Sequence, residues 1–294
     1  MEPKLIFIDI DKTLTDKKHV VSDRTHAILN KLKENNVYCM IASARPRPRS
    51  KYLVEKHNMH HIAISANGSE IHDLKENKSL YFSKMDEVFL KEVFELAMSN
   101  PANKTRLKFL AGDYCFSTIQ KYPEEIPFPE DMTNFFEEHP ISQCTIVGED
   151  YEFMHKLLAK VQTNKDLIQP HIATCLMDRN HADRSHAFFD FTNKGVSKGV
   201  AVELVCKYYN IDPKESVAIA IGDGTNDLTM FDVTGYSVAV ANGTPKVKER
   251  ANEVTAAHYN DGVAIFLERY LKNNFSTEGA PPKDTYETGI IEHE

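Results

Sequence analysis

Two aspartates one residue apart, Asp9 and Asp11, follow the apolar run Leu5-Ile6-Phe7-Ile8. On an extended chain they share a side, with Ile10 turned away, and carboxylates so close repel each other unless a cation sits between them. Such a pair can hold a hard divalent ion, pass protons, or attack an electrophile. Far along the chain, Gly222-Asp223-Gly224-Thr225-Asn226-Asp227 brings two more carboxylates and an amide, while Ser43 offers a hydroxyl and Lys198 an ammonium. Each has an ordinary alternative when taken alone: aspartate and asparagine begin turns and cap helices, and most lysines face water. What matters is whether the chain brings them together.

The elements that would do so are legible as buried strands. Leu5–Ile8, Val37–Ala42, His61–Ser65 and Val217–Ile221 are unbroken apolar runs of the kind that parallel sheets bury on both faces. Three of them empty into the polar groups above, which places those groups at the carboxyl edge of an α/β sheet, where the diverging loops open a crevice for ligands. Ser22 begins a helix carrying Ile28, Leu29 and Leu32 at helical spacing, so the first two strands form a right-handed βαβ unit. After a turn at Ala66-Asn67-Gly68-Ser69 the texture changes. Residues 83–187 show an amphipathic helix over Val88–Met98, a hairpin at Gly112-Asp113, and strands Ile172–Met177 and Ala187–Phe191 around the polar turn Asp178–His181. This predicts an inserted α+β unit. The parent pattern returns at 188–274, with a helix through Ala201, Leu204 and Val205, a strand Ser237–Ala241 and a last helix Val263–Leu271; the polar, acidic stretch 275–294 is expected to be disordered. The fold class is thus α/β, a Rossmann-like parallel-sheet core spanning 1–82 and 188–274 around an α+β insertion.

With 294 residues and a formal net charge of −8, the chain is long enough for a sizeable core and poorly suited to nucleic acid or an anionic membrane. Its five cysteines form no CxxC pair and several lie in apolar runs, as in a reducing compartment. No apolar run approaches the roughly 20 residues that span a bilayer, and the first strand begins too near Met1 to leave room for a signal peptide, so the expected location is cytoplasmic.

Taken in order, Asp9-x-Asp11-x-Thr13, Ser43, Lys198 and Gly222-Asp223-x-x-Asn226-Asp227 resemble the four motifs of the haloacid dehalogenase-like hydrolases, and within them the Cof-type phosphatases. Asp11 and Ser43 are 32 positions apart, room for one helix and one strand, whereas Ser43 and Lys198 are separated by 155, room for an inserted domain. In that superfamily this is the C2 placement of the cap. The resemblance implies a Mg²⁺ ion held by the side chains of Asp9 and Asp223, the backbone carbonyl of Asp11, and Asp227 either directly or through water. It implies Asp9 as the nucleophile that becomes phosphorylated and Asp11 as general acid and then base. Ser43, Lys198 and Asn226 would bind the phosphoryl group, and Thr13 would steady the loop. The substrate so implied is a small soluble phosphate ester, a sugar phosphate or phosphorylated cofactor. Two positions depart from the family pattern: Lys12 and Ala44 stand where glycine is usual.

Other residues are less specific. The basic run Arg45, Arg47, Arg49 and Lys51 either draws in phosphorylated substrates or is a solvated helix start. Asn67, Arg45 and His181 are candidates for substrate contact, with Arg184 and His186 beside His181 in the last cap hairpin. Two rival functions are a sugar phosphomutase using the same nucleophile and a signalling module that accepts phosphate on Asp9 without turnover. A cap of about one hundred residues and an acid two residues beyond the acceptor argue against the second.

Overall fold

The computed structural model describes residues 4–99, 105–148, 156, 159–160, 163–164, 166–173, 187–215 and 218–275. In chain order the strands are β1 (Lys4–Ile8), β2 (Val37–Ile41), β3 (Ile62–Ser65), β4 (Glu70–Asp73), β5 (Lys78–Phe82), β6 (Arg106–Ala111), β7 (Tyr114–Ser117), β8 (Glu125–Pro127), β9 (Gln143–Gly148), β10 (Ile168–Ala173), β11 (Ala187–Asn193), β12 (Ala218–Gly222), β13 (Tyr236–Val240) and β14 (Glu253–Thr255). A parallel sheet of order β14-β13-β12-β1-β2 carries the site.

β1 is buried on both faces because its residues alternate between two apolar layers. Ile6 and Ile8 pack with Leu29 and Leu32 of helix Asp23–Glu34 and with Phe266 and Leu267 of helix Gly262–Phe275. Leu5 and Phe7 pack with Val202 and Val205 of helix Lys198–Tyr208 and with Met230. Helix Asp23–Glu34 starts at the expected cap, Ser22, whose side chain accepts from the Thr25 N–H.

The third apolar run behaves differently from a full core strand. β3 joins the parallel sheet only through the bridge Ala42–Ile64, and its other edge begins an antiparallel sheet β3-β4-β5. The chain reverses there through three consecutive left-handed residues, Ala66 (φ 49°), Asn67 (φ 52°) and Gly68 (φ 99°). Beside the parallel sheet and the small β3-β4-β5 sheet, the second large sheet, hereafter the second sheet, has order β10-β11-β9-β6-β7-β8 and is all antiparallel but for the parallel pair β7–β8. One of its faces, with Phe109, Cys144, Ile146, Phe189 and Phe191, packs on helix Glu87–Met98 through Phe89, Leu90 and Val93. The alternate residues Lys108, Thr145 and Asp190 stand in register across β6, β9 and β11 on the other face. β10 begins four residues before the expected strand. The turn at Asp178–His181, Cys175, Arg184, His186 and the acidic stretch after Phe275 lie outside the described residues.

The remaining cysteines, Cys39, Cys115, Cys144 and Cys206, are buried and unpaired with one another. Among the described residues, no helix is long and apolar enough to cross a membrane.

Candidate active site

Asp9 extends β1 by one residue, its N–H donating to the Ile221 carbonyl of β12 (3.0 Å). The chain then winds into a tight turn closed by Leu14 N–H to Asp9 O (3.2 Å) and Thr15 N–H to Ile10 O (3.0 Å). Lys12 adopts φ 58°, the left-handed region where a side chain is strained and glycine is not. That is the physical meaning of the departure noted at this position. The turn carries Asp11 away from Asp9: the Asp9 side chain is 9% exposed and the Asp11 side chain 45%.

Lys198 sits at the first position of a helix that Ser197 caps, its side chain fully buried. Its Nζ donates to Asp9 Oδ1 and to Asp227 Oδ1, both at 2.6 Å. Asp227 in turn accepts with Oδ2 from the Asp223 and Gly224 N–H groups (3.0 and 2.9 Å). This fold-back needs glycine at 222, since a Cβ there would lie 2.5 Å from Asp227 Cβ. Asp223 accepts from the Thr13 hydroxyl at 3.0 Å, which ties the first acidic loop to the last.

The electrostatics are those of a site short of positive charge. Burial, then the neighbouring charges of Asp227, Asp223 and Asp11, push the Asp9 carboxyl well above the usual range against the pull of Lys198. Burial and Asp227 likewise raise Asp223, to about 6. Burial alone would lower Lys198, but Asp227 and Asp9 reverse that and hold it charged. Oxygens of Asp9, Asp223 and Asp227 come within 4.8 Å of one another. A cluster of three close oxygen donors, with the Asp9 and Asp223 carboxyls disfavoured in their charged form, fits a hard divalent cation.

A second chain of contacts runs beside the first. Arg45 Nε donates to Asp11 Oδ2 (2.7 Å), and its other arm reaches Asp11 Oδ1 and His19 Nδ1. Burial would raise Asp11; the Arg45 hydrogen bond and charge, helped by His19, outweigh it and hold the carboxyl below its ordinary value. Ser43 is buried at the end of β2, its Oγ accepting from the Arg45 N–H at 3.1 Å. Asn226 is joined to Asn67 by a 3.0 Å bond. The structure therefore gathers Asp9, Asp223, Asp227 and Lys198 in direct contact, Asp11, Arg45 and Ser43 in a second group, and Asn226 with Asn67 in a third. His181 lies outside the described residues.

Two members of the basic run after Ser43, Arg47 and Arg49, take neither form expected of it. Arg47 bonds Asp113 (2.8 Å) and His72 (3.0 Å), and Arg49 bonds Glu124 and lies over the Tyr122 ring, so both arginines fasten helix Arg47–Lys56 to the second sheet's unit. Residues not anticipated also reach the site. His19 arrives through a left-handed residue (φ 60°) that no periodicity reveals. Gln143 and Asp190 did carry a signal: each is a polar residue alternating with buried apolar ones on its strand, Asp190 between Phe189 and Phe191.

A parallel α/β core, a carboxyl-edge cluster of aspartates around a buried lysine, and an inserted cap define a phosphatase-type hydrolase. The sequence profile of the haloacid dehalogenase-like hydrolases matches residues 6–267, and the chain belongs to that family. Among its relatives is the 5-amino-6-(5-phospho-D-ribitylamino)uracil phosphatase YitU of Bacillus subtilis, 25% identical over 281 residues, covering 92% of this chain and 98% of that protein. A solved haloacid dehalogenase-like hydrolase from Bacteroides thetaiotaomicron superposes with a TM-score of 0.75 at 23% identity, covering 92% of this chain and all of the other. A sugar phosphatase of subclass IIB in the same superfamily gives a TM-score of 0.71 at 19% identity over 91% of this chain and 98% of its own.

Proposed function

We propose that the protein is a cytoplasmic, Mg²⁺-dependent phosphomonoesterase acting on a small soluble phosphate ester, a sugar phosphate or phosphorylated cofactor, with residues 83–187 as its cap. The observation that carries this reading is the buried Lys198 ammonium held between Asp9 and Asp227, with Asp223 beside them. Asp9, Asp223 and Asp227 would hold the metal, with the Asp11 carbonyl, and the bound ion would supply charge neutralisation at the phosphoryl oxygens.

Asp9 is the nucleophile: its Oδ2 is the carboxylate oxygen not taken by Lys198, and attack in line on phosphorus expels the alcohol and leaves an aspartyl phosphate. Lys198 and Ser43 stabilise the oxygens that gain charge. Asn226 spends one N–H on Asn67, and an amide has a second to give to the phosphoryl group. Asp11 protonates the leaving oxygen and later takes a proton from the water that cleaves the aspartyl phosphate. Arg45 holds Asp11 ionised, which suits the base but not the acid. An arriving phosphate dianion competes for the same guanidinium, and Asp11 freed from it is able to carry the proton.

The test is phosphate release from a panel of esters with and without Mg²⁺, comparing the protein with its Asp9→Asn variant. Metal-dependent turnover lost in the variant is expected, and the ranking of esters identifies the leaving group. Label that accumulates on Asp9 and moves to a second sugar instead of water would replace hydrolysis by the mutase reading.

A further inference from the structure

Asn67 holds both the cap and the phosphate site. It is fully buried, in a left-handed conformation (φ 52°), and every polar atom of its amide is used. Nδ2 donates to Gln143 Oε1 (3.0 Å) and Asp190 Oδ2 (3.2 Å), both on the second sheet, while Oδ1 accepts from Asn226 Nδ2 (3.0 Å). The Asp190 carboxylate can only accept in its ionised form, so it dictates which way the Asn67 amide points, and Asn67 then dictates the orientation of Asn226. Thr145 anchors Asp190 from the same sheet at 2.6 Å.

The backbone around Asn67 leaves it no slack. Its N–H donates to Ser43 O and the Ala66 N–H to Arg45 O, both at 3.0 Å. Gly68 lies so close to the start of the Lys198 helix that a Cβ would fall 2.2 Å from Ser197 O. One three-residue turn thereby touches the segments of Ser43, Lys198 and Asn226 as well as the cap sheet.

We infer that Asn67 is a positioning residue that couples the place of the cap to the grip on phosphate: only when Asp190 and Gln143 are seated on Asn67 is the Asn226 amide held for the phosphoryl group. This rests on the proposed phosphatase reading and deepens it by giving the cap a way to act on the reacting group. A shift of the paired cap strands β9 and β11 relative to the turn removes two hydrogen bonds from Asn67 and releases Asn226, so an ester whose leaving group seats the cap is processed faster than one that does not.

The test exchanges the two partners. Asn67→Asp keeps the shape, tolerates the left-handed backbone and still accepts from Asn226, but sets a carboxylate against Asp190. Adding Asp190→Asn restores an amide-to-carboxylate bond with the donor on the other side. With glucose 6-phosphate as probe, kcat is expected to fall about tenfold in Asn67→Asp, the size of one charged hydrogen bond, and to return within about threefold in the double variant. KM should move much less than kcat. Backbone amide exchange at 225–227 should quicken in the single variant and slow again in the double one. A double variant no better than the single, in rate and in exchange, overturns the coupling. If the unaltered protein releases no phosphate, the phosphatase reading fails by itself, and exchange at 225–227 still decides the coupling: unchanged exchange in Asn67→Asp overturns it.

Discussion

At the scale of single residues, Lys198 and Lys12 show opposite relations between environment and residue type. A lysine with no exposed side-chain surface is tolerable only because Asp9 and Asp227 each take a hydrogen bond from it. Lys198→Met would leave two buried carboxylates facing each other without a countercharge. The expected loss is about 3 kcal/mol of stability and a fall in phosphate release of roughly a thousandfold. Urea unfolding with and without Mg²⁺ checks this: added metal should restore part of the stability while activity stays low. Unchanged stability in the variant would mean that the ion pairs contribute nothing beyond their own desolvation. Lys12 is the reverse case, a side chain in a left-handed position that no contact requires, its carbonyl bound by Asn242 Nδ2 at 2.8 Å whatever the side chain. Lys12→Gly is expected to raise stability by about 0.5 kcal/mol, the relief of strain less the added freedom of the unfolded chain. A destabilised variant in the same unfolding assay would show that the lysine charge near Asp223 outweighs its backbone strain.

At the scale of elements, the helix that presents Lys198 is placed by a glycine. A Cβ on Gly199 would lie 2.2 Å from Thr229 O, so helix Lys198–Tyr208 and helix Leu228–Val233 meet backbone to backbone. Gly199→Ala must separate them, and because Lys198 is the preceding residue, its ammonium moves off the 2.6 Å contacts with Asp9 and Asp227. The variant should lose about 2 kcal/mol in a thermal melt, together with most of its phosphate release; full activity would mean that the helix pair yields without moving Lys198. Such contacts explain what could and could not be read from the chain. Unbroken apolar runs and the Ser22 cap report their own burial and helix start, so β1, β2 and helix Asp23–Glu34 were legible. The β4–β5 hairpin was not, since its register changes at Ile71/His72 and β5 is largely half exposed, which blurs the period-two pattern. Helix Pro245–Arg250 and β14 are too short for periodicity to accumulate. Within the site, the aspartates and Lys198 stood out by residue type at strand ends. The roles of Arg47, Arg49 and His19 are set by partners distant in sequence, which no local pattern encodes.

At the scale of the whole molecule, the joint between the parallel sheet and the β3–β5 sheet makes stability depend on pH. His60 closes the gap between β2 and β3: its Nδ1 accepts from the Ile62 N–H at 3.2 Å, which leaves the proton on Nε2, 3.1 Å from the Tyr209 hydroxyl. Protonation would put a hydrogen on Nδ1 against that N–H and a charge among the Tyr38, His61 and Tyr209 rings. Burial, then His61 and Lys33, push its pKa down to about 3, and the smaller opposing pull of Asp73 does not offset them. The ordinary value near 6.5 applies once the chain unfolds, so between pH 6.5 and 3 the unfolded state binds the extra proton and stability falls as the solution is acidified. Between pH 7 and pH 5 this one group should remove about 2 kcal/mol. Buried carboxyls such as Glu70, raised mainly by desolvation, work in the opposite direction, so the raw profile does not isolate His60. Comparison with His60→Gln does, because every other group is shared: the glutamine variant should be less stable at pH 7 and lose less on going to pH 5. Parallel profiles for the two proteins would show that His60 titrates normally in the folded state, with the joint between the sheets open to water.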